Sequence, residues 1–162
     1  QMLKSGGIDF TQSFYSGHAF FAKALGQDMG YLAWKDVGIN PYSNAVVLHG
    51  AFLARKPDVA RAFVRTTQRA FAACWDAPRP CIEALVAANS GLTVENELET
   101  WRLTRELMDD VGFRTVALGH FDPPRMQADY ALVDEHFTLE RKFDPASAYT
   151  NELLDPAVRL PK

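Results

Sequence analysis

The N-terminal part of the chain alternates short apolar runs with one longer helical pattern. Residues 7–10, 31–34 and 45–49 are short apolar runs near Gly, Asp, Asn or Pro, which predicts three β-strands. Between the first two, residues 14–25 carry apolar side chains at helical spacing and stop at Gly26, which predicts a helix. A strand-helix-strand order is typical of a parallel pair with a crossover helix. We therefore expect an α/β fold here.

Beyond Pro57 the pattern is almost entirely helical. An apolar stripe from Val59 to Cys74, with arginines on the opposite side, predicts a first long helix. Capping residues at the starts and glycines at several ends predict further helices. Three such helices are predicted over residues 78–89, 93–112 and 122–137. Two more helix starts are predicted at Asp144 and at Thr150.

Composition and charge are those of an ordinary globular domain. Hydrophobic residues make up 48% of the 162 residues, and 17 Lys+Arg against 20 Asp+Glu give a net charge of −3. Without a basic excess there is no electrostatic footprint for a phosphate backbone, which argues against nucleic-acid binding. The longest nearly apolar run, residues 45–54, is much shorter than the roughly 20 residues of a membrane helix. Length alone indicates one domain.

Residues that usually carry catalysis or bind metals are few and scattered. Cys74 and Cys81 are the only cysteines; a disulfide is one alternative, and two apolar core thiols are favoured. The four histidines do not have metal-ligand spacing: His18, His49, His120 and His136. Neither a Gly-x-Ser-x-Gly motif nor a Gly-rich phosphate loop after a strand occurs. We expect no catalytic residue, no metal and no cofactor.

Five segments of the sequence carry a resemblance to one protein family. They are SGGIDF at residues 5–10, DVGINPYSN at 36–44, KPDVARAF at 56–63, GHFDPPRM at 119–126 and AYTNELL at 148–154. In this order and spacing, the chain resembles the C-terminal half of ABC-transporter substrate-binding proteins of the thiamine-pyrimidine-synthesis type. Relatives in that family bind hydroxymethylpyrimidine-type precursors, riboflavin, sulfonates or nitrate.

The resemblance implies a type II periplasmic-binding-protein fold, in which two α/β lobes trap a ligand between them. Members of that family are longer than this chain, and residues 1–7 lack the apolar segment of a signal peptide. We therefore expect a later part of such a protein, with a remnant of the ligand-binding lobe over residues 1–50 and a helical part packed on it over residues 51–162. Without the N-terminal lobe, we expect exposed apolar surface and self-association.

The resemblance also implies a function. It is that of the solute-binding component of an ABC importer, which binds a small heteroaromatic or anionic metabolite, such as a thiamine pyrimidine precursor, and docks on ABC permease subunits. A periplasmic or other extracytoplasmic location follows from the same resemblance. One alternative is a pyrimidine-precursor synthase of thiamine biosynthesis, as in eukaryotic relatives. Those relatives use a histidine and a cysteine-rich motif, and the absence of such a cysteine cluster from this sequence argues against the synthase. Another alternative is a helical interaction domain without a small-molecule site.

Candidate ligand residues follow from where ligands lie in open α/β sheets, outside the carboxyl ends of the strands. The loops after Phe10 and Trp34 offer aromatic faces and polar edges that suit a heteroaromatic ring. The candidate residues are Gln12, Ser13, Phe14, Tyr15, Trp34, Asp36, Asn40 and Tyr42. Core packing is the alternative for Phe14 and Trp34, and turn formation is the alternative for Asp36 and Asn40.

Three residues outside those loops also have expected environments. Trp101 and Met108 share a helical stripe, which predicts that both lie in the core. Arg125 belongs to one of the resembling segments, and the alternative to a role in that motif is an ion pair of its guanidinium with a nearby carboxylate such as Asp122 or Asp129.

Overall fold

The computed structural model describes residues 2–26 and 29–161, which fold mainly as helices. Within these residues there are seven α-helices: α1 (His18–Leu25), α2 (Gly50–Arg55), α3 (Pro57–Asp76), α4 (Pro78–Ala87), α5 (Val94–Met108), α6 (Val111–Thr115) and α7 (Pro123–His136). Short 3₁₀-helices occupy Tyr15–Gly17, Trp34–Val37 and Pro145–Ala148. The described residues contain no β-strand, and none of their helices is long and apolar enough to cross a membrane.

The chain forms two compact units, each made from two separate stretches of sequence. Unit 1 comprises Gln1–Val37 and Asp76–Asp109, and unit 2 comprises Gly38–Trp75 and Asp110–Lys162. The expected division into a remnant of the ligand-binding lobe over residues 1–50 and a helical part over residues 51–162 stays a prediction.

Unit 1 is built around α5, which contacts both α4 and the 3₁₀-helix Tyr15–Gly17. Leu103 of α5 and Ile82 of α4 are only 2% and 6% exposed, so they form its apolar core. The start of α5 is where the sequence predicts it, because the side chain of Thr93 accepts a hydrogen bond from the amide of Asn96. Trp101 and Met108, which are predicted core residues, are half-buried.

In unit 2, α3 binds the C-terminal segment through hydrogen bonds from side chains to backbone. Gln68 is 4% exposed. Its Nε2 donates to the carbonyl oxygen of Leu118 at 2.8 Å, and its Oε1 accepts from the amide of Asp155 at 2.8 Å. Arg65 Nε donates to the carbonyl oxygen of Leu153 at 3.4 Å. These bonds satisfy backbone groups that no strand pairs with, which explains why a glutamine lies in the core.

The buried face of α3 differs from the apolar stripe that the sequence predicts. Val59 and Phe63 of the predicted stripe are 54% and 57% exposed. The buried residues are Ala60, Gln68 and Trp75, which lie on one face because they recur at intervals of about two turns. Gln68 sets this orientation through its backbone bonds, and a pattern of apolar residues alone does not reveal that.

Several helix predictions are confirmed by capping geometry. α1 ends before Gly26, whose φ of +98° suits glycine. The side chain of Asp122 accepts from the amide of Arg125 at 3.1 Å and begins α7. The side chain of Asp144 likewise caps the 3₁₀-helix that starts at Pro145. These caps depend on residues a few positions apart, which is why the sequence predicts them.

Other helix predictions are wrong. The helix predicted over residues 93–112 is divided, because Asp110 Oδ1 accepts from the amide of Gly112 at 2.7 Å and begins α6. No helix begins at Thr150, where the chain continues as turns. The short helix α2, which His49 caps by accepting from the amide of Ala51, was not predicted at all.

The three predicted strands are absent from the described residues. Phe10 and Val47 are each 87% exposed in irregular backbone, and Trp34 begins a 3₁₀-helix. Extended backbone is a local preference that residue His49 does adopt, with φ −68° and ψ 130°. A strand also requires a neighbouring strand to which it is hydrogen-bonded, and no such pairing occurs among the described residues. The α/β prediction is therefore wrong for the described residues, the helical C-terminal half is confirmed, and the periplasmic-binding-protein fold stays a prediction.

The favoured prediction of two apolar core thiols is also wrong. Cys74 lies near the end of α3 and Cys81 near the start of α4. Both are disulfide-bonded, and neither is a free thiol. The alternative that the sequence left open is the correct one.

Candidate functional site

Three aromatic side chains of unit 1 form a contiguous group, the aromatic cluster of Tyr15, His18 and Tyr31. The rings of Tyr15 and His18 lie nearly parallel, with centroids 6.0 Å apart and planes inclined by 13°. Tyr31 packs against both, at 5.0 Å from Tyr15 and 5.2 Å from His18. Tyr15 and His18 meet because they lie one turn apart, three positions along the chain.

A carboxylate of α5 fixes the phenol of Tyr15. Tyr15 Oη donates to Glu106 Oε2 at 3.1 Å, and this hydrogen bond raises the pKa of Tyr15. Arg102 binds Glu106 on one side and Glu99 on the other, with Arg102 Nη2 at 2.8 Å from Glu99 Oε1. The hydrogen bond from Arg102 lowers the pKa of Glu99. The cluster therefore has an anionic edge that one arginine partly neutralises.

His18 adds an unsatisfied polar atom to the aromatic cluster. Its Nδ1 is buried and has no hydrogen-bond partner among the described residues. A buried nitrogen of this kind loses the hydrogen bond that water would give it, which is a free-energy cost to the folded state. Neither His18 nor Tyr31 was among the predicted ligand residues. The signal for His18 was its position three residues after Tyr15.

The other candidates of unit 1 lie on its surface. Phe14 is 70% exposed and Trp34 is 53% exposed, so the alternative of core packing is wrong for both. Gln12 and Asp36 are exposed and Ser13 is half-buried. Tyr15 is the candidate that the structure brings into the aromatic cluster.

The last two candidates, Asn40 and Tyr42, meet Arg125 in unit 2. Arg125 Nε donates to the carbonyl oxygen of Asn40 at 2.9 Å, and Nη2 donates to Asn40 Oδ1 at 3.2 Å. The guanidinium carbon lies 4.0 Å from the centroid of the Tyr42 ring, a cation–π contact. Arg125 Nη1 pairs with Asp110 Oδ2 at 3.4 Å. These four residues are called the Arg125 cluster below.

The ion-pair partner predicted for Arg125 is therefore wrong. Its carboxylate partner is Asp110, whereas Asp122 caps α7 and Asp129 Oδ2 accepts from the amide of Tyr42 at 3.3 Å. Sequence proximity favoured Asp122 and Asp129, whose carboxylates instead accept from the backbone amides of Arg125 and Tyr42. A long-range partner such as Asp110 leaves no local signal.

The phenol hydroxyl of Tyr42 both accepts and donates a hydrogen bond. Its hydroxyl accepts from the amide of Asp122 at 2.8 Å and donates to the carbonyl oxygen of His120 at 3.5 Å. Phe121 contacts the ring edge-on at 5.0 Å. Burial raises the pKa of the Tyr42 phenol. These contacts give Asn40 and Tyr42 a structural task within unit 2.

Besides the two clusters, a metal-binding group or a surface cavity could form a site in the described part of the chain. In the described part of the chain, no group of three or more His, Cys, Asp or Glu side chains is placed to hold a metal ion. An open surface cavity of about 770 Å³ lies elsewhere in unit 2. It is lined by Glu140, Arg141, Phe143, Ser147 and Ala148, none of which is a predicted ligand residue.

Comparison with known families gives a match to one family model. Residues 1–80 match the family model described as NMT1/THI5 like. Over these residues, about half of its length, the chain is similar to the NMT1/THI5-like family. The NMT1/THI5-like segment contains all eight predicted ligand residues and the whole aromatic cluster, whereas Glu106 and Arg125 lie outside it. No curated protein matches the chain, and no solved structure does.

Proposed function

We propose that this chain is part of the solute-binding component of an ABC importer and binds a small heteroaromatic or anionic metabolite, such as a thiamine pyrimidine precursor. The observation that carries this proposal is the aromatic cluster, which lies within the NMT1/THI5-like segment. Tyr31 is 41% exposed, so one ring of the cluster is open to a ligand. Binding and release of a solute need no catalytic residue.

A heteroaromatic ring with polar substituents suits the chemistry of this cluster. A ring that packs on Tyr31 gains about 0.5–1.5 kcal/mol from the aromatic contact beyond the burial of apolar area. The carboxylate of Glu106 is an acceptor for an amino substituent such as an aminopyrimidine carries. Together they favour a planar ligand over a flexible aliphatic one.

Ligand-dependent thermal stabilisation tests the proposal. The full chain is heated with each member of a panel of pyrimidine precursors, flavin precursors, sulfonates and nitrate. A compound that binds only the folded state at about 100 times its Kd stabilises it by about 2.7 kcal/mol, which raises the midpoint temperature by several degrees. We expect a pyrimidine or flavin precursor to do so. If none of the compounds in the panel raises the midpoint temperature, the proposal is contradicted.

Substitutions identify the site at which such a compound binds. Tyr31→Ala removes the exposed ring of the aromatic cluster and is expected to abolish the shift. Phe137→Ala removes a ring that is 68% exposed at the end of α7 and serves as the matched control. A shift that persists in Tyr31→Ala, or that both variants lose equally, contradicts assignment of the ligand to the aromatic cluster.

A thiamine-pyrimidine synthase is the competing function within the same family. Both cysteines are disulfide-bonded, which disfavours a chemistry that depends on a cysteine-rich motif. Incubation with pyridoxal phosphate and histidine, followed by mass spectrometry, separates the two functions. We expect no pyrimidine product. A product formed by this chain overturns the importer proposal.

The proposed importer role also implies partners and a location. Docking on ABC permease subunits and an extracytoplasmic location both belong to the proposal. We further expect self-association, because Phe10 and Leu32 of unit 1 are 87% and 73% exposed. Sedimentation velocity over a range of protein concentrations measures this, and a monomer at every concentration contradicts the self-association.

A further inference from the structure

Arg125 binds both of the stretches with which the chain enters unit 2. The chain passes from unit 1 to unit 2 at Gly38 and again at Asp110. Arg125 reaches the first stretch through the carbonyl oxygen and the side chain of Asn40, at 2.9 and 3.2 Å, and through the carbonyl oxygen of Pro41 at 3.3 Å. It reaches the second through Asp110, at 3.4 Å. Each contact lies within the first few residues of one of the two stretches that make up unit 2.

The guanidinium is suited to hold two stretches at once. It is planar and carries five N–H donors in a fixed fork, so Nε and Nη2 bind one stretch while Nη1 binds the other. The side chains of Arg125 and Asp110 are 25% and 31% exposed, which limits the screening of their charges by water. The ring of Tyr42 covers the guanidinium at 4.0 Å. A lysine carries all of its N–H donors on a single nitrogen and cannot reproduce this arrangement.

The backbone of Arg125 is itself fixed by hydrogen bonds at the start of α7. Its backbone amide donates to the capping carboxylate of Asp122 in the first turn of α7. The amide of Asp122 in turn donates to the hydroxyl of Tyr42 at 2.8 Å. Arg125 and the first entry stretch are thus joined both through the guanidinium and through the start of α7.

We propose that Arg125 is a positioning residue that ties the two entry stretches, residues 38–42 and 110–112, to the start of α7, so that the two stretches open together. Each stretch has a reporter amide that Arg125 does not itself bind. Tyr42 N donates to Asp129 Oδ2 at 3.3 Å, and Gly112 N donates to Asp110 Oδ1 at 2.7 Å. Coupling through Arg125 requires that loss of this one side chain exposes both amides. The inference is independent of the proposed ligand.

Residue-resolved amide hydrogen exchange of the full chain tests the coupling. In Arg125→Ala, the amides of Tyr42 and Gly112 are expected to exchange at least about tenfold faster. Local opening of either stretch then no longer has to break the hydrogen bonds of the guanidinium. The amides of α3 are expected to stay within about twofold of their original rates, since α3 is held separately by Gln68 and Arg65. Arg141→Ala, at an exposed arginine of the same unit, is the matched control and leaves both reporter amides unchanged.

Two further outcomes overturn the proposal. If only one reporter amide responds, or neither does, Arg125 does not couple the stretches. If the amides of α3 accelerate by the same factor, the effect is a general loss of stability and positioning by Arg125 is rejected. Should Arg125→Ala not fold, Arg125→Lys decides, because it keeps the charge and loses the fork. It is expected to accelerate both reporter amides by a similar factor that is smaller than in the alanine variant.

Discussion

Gln68 and Asp155 are joined by two hydrogen bonds of opposite direction. The amide of Asp155 donates to Gln68 Oε1 at 2.8 Å, and Gln68 Nε2 donates to the carbonyl oxygen of Asp155 at 3.4 Å. The same nitrogen donates to the carbonyl oxygen of Leu118 at 2.8 Å. The side chain thereby does for two backbone segments what a neighbouring strand does in a sheet. Since Gln68 is 4% exposed, water cannot replace these bonds.

Replacement of Gln68 by leucine is expected to destabilise the protein strongly. Leucine is of similar size but leaves the amide of Asp155 and the carbonyl oxygen of Leu118 buried without partners. The free energy of unfolding is expected to fall by about 2–3 kcal/mol, measured by urea denaturation. Gln127→Leu, at an exposed position of α7, is the control and changes it by less than about 0.5 kcal/mol. Equal stability of the two variants contradicts the role of Gln68.

The hydrogen bond between Tyr15 and Glu106 gives a prediction about pH. Because this bond raises the pKa of Tyr15, the folded state favours the neutral phenol. Its contribution to stability is complete below the unfolded pKa, about 10.0, and is lost as the pH rises through the folded pKa. Glu106→Gln is expected to move the pKa of Tyr15 back towards 10.0, as followed by NMR of labelled tyrosine.

A second variant on the same helix controls for charge in general. Glu95→Gln removes a negative charge from the first turn of α5 without touching the phenol. The pKa of Tyr15 is expected to stay at its raised value in that variant. Equal pKa values of Tyr15 in the two variants show that Glu106 is not the cause.

The oxidation state of the cysteines gives a prediction by counting. Cys74 and Cys81 are the only cysteines, and both are disulfide-bonded. Titration with a thiol reagent in denaturant is expected to find no thiol before reduction and two per chain afterwards. If two thiols are found before reduction, the disulfide is contradicted and the cysteines are free thiols in the core.

Local chemistry explains which parts of the fold the sequence predicts. The caps Thr93, Asp122 and Asp144 act on amides two or three residues away, and all three are found where the sequence places them. The three strands depend on neighbours that local preference does not supply. The buried face of α3 depends on Gln68, whose partners lie far along the chain. Apolar periodicity therefore located the helix and missed its orientation.

The same distinction applies to the candidate site. Tyr15 was identified from its place beside a predicted strand end, and it does lie in the aromatic cluster. Tyr31 was missed because its contact with Tyr15 depends on the path of the intervening chain. Glu106 and Arg125 are separated from their partners by many residues, and no local spacing indicates such pairs. Residue type indicated the chemistry of the site, and only tertiary structure identified the neighbours.

The hydroxyl of Tyr42 gives the last prediction, through the bond that it accepts from the amide of Asp122 at 2.8 Å. Tyr42→Phe keeps the ring beneath Arg125 and against Phe121 but leaves that amide without its acceptor. The free energy of unfolding is expected to fall by about 1–2 kcal/mol in chemical denaturation. Tyr149→Phe is the matched control, because the ring of Tyr149 also packs on Phe121, at 5.5 Å. That control is expected to change stability by less than about 0.5 kcal/mol. If both variants lose the same stability, the hydroxyl of Tyr42 does not anchor the start of α7.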